Sequence, residues 1–422
     1  MDYRRFVIRR RPVTAVLGAA ALTISLAACS ASGSNSGGGS GNSSGSSSGP
    51  IVIGASLPLS GTLAGFGAFD KWGYEHAVSL ANAAGGIKVD GKLRKVKLVL
   101  LDSQSDPNDE STNIQQLITK NNAVALLGSC TPAEVTPGAI VAERSKVPMV
   151  TGCDPVESFT SVQKWHWVWD EFFSVAALAK AEFQLYNSPA AMPTNKKVAI
   201  LHDNGPDGEA VGKLDPLVAK KAGDKVVMDA TFPTTATDFS SLVASAKASG
   251  ADIVLVDAVT PQAVSIRKQM AADSFTPKIL DMEKGAEPQQ FQQALGKLAN
   301  GVLVGGYWDP SFPFPGAATL RNEFQKQTGQ SWSQHIADSD AAAQILLDAI
   351  QRAGSTDATK INTAIGETDK TYVVGPIKFN ADHTSTLPVV MDQWQGKGTK
   401  VVSSPYPNIK PNGKLLYPLP GS

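Results

Sequence analysis

The stretch Ile51–Gly86, IVIGASLPLSGTLAGFGAFDKWGYEHAVSLANAAGG, decides the fold. Its first seven residues, Ile51 to Leu57, form a β-branched, apolar run without charge that stops at Pro58, as a short strand buried on both faces would. Ser60, Gly61, Gly65 and Gly67 then permit tight turns, and Trp72, Ala77, Leu80, Ala81 and Ala84 recur at helical spacing until Gly85 and Gly86 end the helix. Strand, glycine-rich loop and helix follow one another. In an open parallel sheet ligands sit at the carboxyl ends of the strands, so the loop Leu59 to Phe66 is a natural place for one.

Outward from this unit the same alternation continues. Val96 to Leu101 reads as the second strand, and Ser105, Asp106 and Pro107 start a helix that runs to about Lys120. Ala123 to Leu127 and Val147 to Thr151 are further strands, separated by a helix over about 137–145. A second series follows: strands Val198–Leu201, Val226–Ala230, Ile253–Val256, Ile279–Asp281 and Gly301–Gly306, with helices near 207–222, 238–249, 261–272 and 287–299. Repeated strand-helix alternation implies parallel crossovers, so the chain reads as α/β, with two doubly wound domains of similar size. The proline-rich segment Tyr307–Pro315 precedes helices around 316–328, 338–352 and 357–367, and the tail from Tyr372 is strand-like.

The length allows two or three domains at about 150 residues each. Lysine plus arginine equal aspartate plus glutamate, 38 each, but the first 28 residues hold five arginines and one aspartate, leaving 33 basic against 37 acidic residues. No basic surface or nucleic-acid motif is present, which argues against nucleic-acid binding. Arg4, Arg5, Arg9, Arg10 and Arg11 followed by the apolar run Val13–Ala28 read as a signal peptide over residues 1–28. Leu26-Ala27-Ala28-Cys29 resembles a bacterial lipobox, which would make Cys29 the lipidated first residue of the mature chain. Residues 29–50, rich in Ser and Gly, cannot bury a core and read as a flexible tether.

Taken in order, several short motifs resemble the type I solute-binding proteins of ABC importers, in the leucine/isoleucine/valine- and amide-binding family. They are Pro58-Leu59-Ser60-Gly61, Asn82–Ile87, Asp102 with Asp106-Pro107, Leu127-Gly128, Val147-Pro148, Leu201-His202-Asp203 with Gly208-Glu209, Asp238-Phe239-Ser240, Gly375–Phe379 and Gln393-Trp394. The resemblance covers residues 51 to 405. It implies two parallel-sheet lobes joined by three crossings, lobe one at 51–169 plus 303–368 and lobe two at 170–302 plus 369–422. It also implies a monomer on the extracytoplasmic face of the cell membrane, anchored through Cys29, that closes on a small-molecule ligand and is recognised by ABC permease subunits.

The family's ligand positions depart from an α-amino-acid clamp here. Phe66 falls where an aromatic stacks on the ligand. The hydroxyl expected after the third strand falls on Pro132, with Thr131 beside it, and the next contacts fall on Cys153 and Pro155. A second-lobe tyrosine falls on Asp207, and the acid that meets an ammonium falls on Pro261. An ordinary branched-chain amino acid would leave charges without partners, which costs several kcal/mol. The expected cleft is instead aromatic and acidic: Phe66, Trp169, Phe172, Tyr307 and Trp308, with Thr131, Cys153, Asp154, Asp170 and Asp207. Such walls suit a planar or apolar solute carrying hydroxyl or cationic groups. Cys130 and Cys153 stand after the third and fourth strands, so a disulfide is feasible if those strands are neighbours; two buried thiols are the alternative.

No nucleophile elbow, phosphate loop, dinucleotide fingerprint or zinc-protease motif is present, and the five histidines lack metal-ligand spacing and read as surface or satisfied core. Neither a cofactor nor a metal is expected, and the reading is not an enzyme. A ligand-sensing receptor module on the same fold and a true amino-acid binder are the alternatives.

Overall fold

The computed structural model describes residues 49–421; the expected signal peptide, Cys29 and nearly all of the tether lie outside the described residues. Two sheets carry the architecture. The first has six parallel strands in the order Thr384–Thr386, Val168–Phe172, Met149–Thr151, Ala125–Leu127, Ile51–Leu57 and Val96–Asp102. Ile51, Ile53, Ala55 and Leu57 are buried on one face of the leading strand, while Gly54 on the other lets Leu117 pack directly on the backbone. From this strand the chain moves to one side with Val96–Asp102 and returns to the other with Ala125–Leu127. A reversal of strand order lies between them, the place where open α/β sheets leave a crevice.

The second sheet repeats the device. Lys197–Asp203 is flanked by Lys225–Phe232 on one side and Ile253–Asp257 on the other, followed by Ile279–Asp281 and Leu303–Gly306, all parallel. Val390–Gln395 and Gly398–Ser403 then close that edge in antiparallel fashion. Its reversal lies between Lys197–Asp203 and Ile253–Asp257.

Strand membership divides the chain differently in detail from the expected split. Asp170, Glu171 and Phe172 complete a strand of the first sheet, Leu303–Gly306 belongs to the second, and Thr384–Thr386 pairs with Val168–Phe172. The hairpin Asp369–Tyr372 with Gly375–Lys378 buries Tyr372 and Ile377 in the same core as Ile51. The chain therefore passes between sheets near 173–174, at 307 and near 387–389. Alternation of apolar residues marks a strand but not the sheet its edges will join. The expected helix over 287–299 is broken into Glu283–Ala286, Gln289–Leu295 and a short 3-10 turn, and the helix expected from 137 begins at Pro132.

On the first lobe, helix Ala64–Ala83 lies along helix His335–Ala353, burying Phe69, Tyr74, Ala77 and Val78 against a face that includes Ile336, Ala343 and Ile350. Gly73 sets their separation: a Cβ there would stand 2.0 Å from Ser339 Oγ and 2.8 Å from the Asp340 nitrogen. Gly73→Ala should lower stability by about 1–3 kcal/mol through overpacking. Gly398→Ala, where nothing lies within 4 Å of the added carbon, should change it by less than about 0.5 kcal/mol. Urea unfolding of the two variants checks the contrast; equal effects would contradict close helix packing at Gly73.

Candidate functional site

The carboxyl ends of both sheets, at their points of reversal, face one cleft. Phe66, Cys130, Thr131 and Cys153 line it from the first sheet; Asp207, Val211, Asp257 and Lys284 line it from the second. The chain crossings themselves supply Phe173, Tyr307 and Val389. About 640 Å³ of space lies within the cleft, its open mouth included.

The walls are apolar. Phe172 and Tyr307 meet edge-on with ring centroids 4.8 Å apart, Phe173 stacks on Tyr307 at 5.7 Å, and Phe66 meets the His335 ring edge-on at 5.1 Å. Val175, Leu178, Pro132, Pro155 and Val389 complete the lining. Strand ends on adjacent parallel strands bring Cys130 and Cys153 together, and their sulfurs are joined, with Cα atoms 5.0 Å apart.

Two cations form the polar part of the lining, each held by acids. Lys284 Nζ lies 2.7 Å from Asp257 Oδ1, 3.2 Å from Asp207 Oδ2 and 3.4 Å from Asp203 Oδ2. Burial opposes its charge, but the three carboxylates more than compensate and hold its pKa well above the usual lysine value. For Asp257 the balance runs the other way: burial outweighs the lysine and pushes its pKa up to about 7. His335 is buried in the first turn of its helix. Its Nε2 lies 2.7 Å from Glu287 Oε2 and its Nδ1 3.1 Å from Asp338 Oδ2, with the Tyr307 hydroxyl 2.8 Å from the same Nδ1. Burial disfavours the imidazolium, yet Asp338 and Glu287 raise its pKa well above the ordinary value, so both ring nitrogens donate. Four carboxylates, Asp207, Asp257, Glu283 and Glu287, thus line the cleft against two cations.

Of the residues expected at the site, Phe66, Thr131, Cys153, Phe172, Asp207 and Tyr307 line the cleft. The other four do not. Trp169 is buried away from the cleft in the first lobe's core, stacking on His383 at 3.5 Å and donating its indole N–H to Asn362 at 2.8 Å. Trp308 is fully buried beside Trp332 and donates to the Val373 carbonyl at 3.1 Å. Asp154 and Asp170 are buried behind the lining with both carboxylate oxygens unpartnered, and burial raises both pKa values. Alternation along a strand sends neighbouring side chains to opposite faces, so Phe172 and Trp169 could not share the cleft. Pro261 is likewise absent from the lining: it opens the helix Thr260–Ala272.

Sequence reading missed Lys284, Glu287, Phe173 and His335, the last of them read as surface or satisfied core. Lys284 follows the short strand Ile279–Asp281, so the rule that ligands gather at strand carboxyl ends would have pointed to it. His335 carries no such mark, because it enters from a helix that is distant in sequence.

A family model described as periplasmic binding protein matches residues 50–399. A Leu/Ile/Val-binding protein homolog 2 from Brucella abortus (strain 2308) is 27% identical over 348 residues, covering 82% of this chain and 90% of that protein. Among solved structures, a leucine binding protein from Thermotoga maritima superposes with a TM-score of 0.76 at 22% identity, covering 84% of this chain and 99% of that one. A solute binding protein of an ABC transporter from R. palustris, in complex with benzoate, superposes at 0.72 with 18% identity, covering 84% and 96%. Among the described residues, no helix is long and apolar enough to cross a membrane.

The raised pKa of His335 has a stability consequence. A group whose folded pKa exceeds its unfolded value contributes fully below the unfolded value, 6.5 here, and loses that contribution as pH rises through the folded pKa. The stability gap between the wild type and His335→Gln should be widest below pH 6.5, at about 3 kcal/mol, and should narrow at higher pH. Urea unfolding across that range checks it, and a gap independent of pH would show that His335 is not the charged partner.

Proposed function

The chain belongs to the periplasmic binding protein family, and from that premise we propose that it captures a small aromatic or apolar solute bearing a hydroxyl or ammonium group. It is a solute-binding protein of the ABC transporter type, and its relatives are binding proteins rather than enzymes. The observation that carries the ligand class is the wall of Phe66, Phe172, Phe173 and Tyr307 beside a polar lining in which carboxylates outnumber cations. Flat rings reward a planar or apolar body. Surplus carboxylate accepts hydrogen bonds or offsets positive charge on the solute, and repels a second anion unless a proton is taken up.

Of the positions that the resemblance assigns to an α-amino-acid clamp, Pro132 and Pro155 line the cleft and donate no backbone N–H, while Pro261 lies outside it. Leucine, isoleucine and valine therefore fit poorly. Binding closes the two lobes about the crossings, and the closed form delivers its solute to an ABC permease. The mature chain is held by lipid on Cys29 at the outer face of the membrane, with the Ser/Gly tether giving reach.

Thermal unfolding of residues 49–422 with phenols, aromatic amines, benzoates and the three branched-chain amino acids tests the ligand class. A solute at a hundredfold excess over its dissociation constant adds ~2.7 kcal/mol of apparent stability. Phenolic or amine-bearing aromatics should shift the transition, and Phe172→Ala should weaken the best of them about tenfold, or ~1.4 kcal/mol. The largest shift coming from leucine would overturn the reading of the missing clamp. Detergent-phase partitioning of the full chain tests the anchor: wild type should enter the detergent phase and Cys29→Ser the aqueous phase, and equal partitioning would exclude lipidation.

A further inference from the structure

At the Lys284 wall of the cleft and in the interior of the second lobe behind it, three carboxylates converge from separate elements, Glu283 being itself part of the lining. Glu182 comes from helix Val175–Tyr186, Asp215 from helix Pro206–Ala222, and Glu283 from the segment just after strand Ile279–Asp281. One oxygen from each lies within 4.8 Å of the others. All three residues are more than nine-tenths buried, and Glu182 Oε1, Asp215 Oδ2 and Glu283 Oε1 have no hydrogen-bond partner. Among the described residues, no lysine, arginine or histidine pairs with them, since the ammonium of Lys284 is taken by Asp203, Asp207 and Asp257. Their other charged neighbours are more acids, Asp257 and Asp281, the latter accepting the Tyr186 hydroxyl at 2.7 Å.

Three buried anions without a cation are costly to bring together. We propose that Glu182, Asp215 and Glu283 form a site for a divalent metal ion, with calcium the best fit. The donors are all hard oxygens, which select calcium, magnesium or manganese over thiophilic metals. A buried set of three protein carboxylates favours calcium among these. Calcium takes about six to eight oxygens in flexible geometry, whereas magnesium demands a near-ideal octahedron, keeps several waters and is usually held by only one or two carboxylates. Water or Asp281 would complete the shell. An ion there ties both helices to the residue preceding Lys284, and so fixes the wall of the cleft from behind, whichever solute the cleft accepts.

The test uses the soluble chain after exhaustive dialysis against chelator. Calcium chloride should raise the unfolding transition and bind one equivalent by calorimetry, and magnesium chloride should bind at least tenfold more weakly. The Glu182→Gln/Asp215→Asn variant, which replaces no residue of the cleft lining, should be at least as stable as the metal-free wild type and should lose the calcium response. Terbium provides a second measurement that needs no ligand variant: its tyrosine-sensitised emission should be displaced by calcium and should fall in Tyr186→Phe. No calcium binding by the wild type would overturn the proposal and leave the carboxyls sharing protons. So would an unchanged calcium response in the double variant, or terbium emission indifferent to Tyr186.

Discussion

The ammonium of Lys284 is the constraint on which the second half of the cleft depends. It stands among carboxylates brought by two strand ends, Asp203 and Asp257, and by the first turn of a helix, Asp207. Without that charge three acids would share a buried space with nothing to offset them, and the point of strand reversal would lose its shape. His335 plays the same part in the first lobe, drawing Glu287 and Asp338 to its two nitrogens and placing Tyr307 through its hydroxyl. Glu287 belongs in sequence to the second lobe's run of elements while His335 opens a helix of the first, so this pair also joins the two halves.

The apolar side of the cleft has a different origin. Its rings come largely from where the chain passes between sheets: Phe172 ends a strand, Phe173 leaves it, and Tyr307 follows Leu303–Gly306. A crossing must leave one sheet and enter another, so its side chains face the gap between them. Bulky rings at these positions exclude water there, which strengthens the charge interactions beside them.

Much of the fold was legible because a parallel strand buried on both faces tends to be an uninterrupted apolar run, as in Ile51–Leu57, and most such runs end at glycine, proline or aspartate; Val168–Phe172, with Asp170 and Glu171 inside it, is an exception. The motif order supplied the two-lobe plan. Edge membership was not legible: Thr384–Thr386 is three residues long and pairs with Val168–Phe172 across more than two hundred residues of sequence. The site divided along the same line. Phe66, Thr131, Cys153 and Asp207 lie in the segments that follow strands and were found by carrying over the family's ligand positions. Trp169 and Trp308 were chosen for residue type alone, and the structure gives their indole nitrogens partners elsewhere. His335 and Lys284 matter through charge partners that lie far away in sequence, where local pattern is silent.

The crossings that line the cleft bear on how such a protein can change over evolutionary time. Phe173, Tyr307 and Val389 are at once wall of the cleft and connection between the sheets. A substitution there that admits a new solute also alters the torsional freedom of the connection between lobes. Selectivity and the stiffness of these connections are therefore inherited together, so that one substitution tunes both.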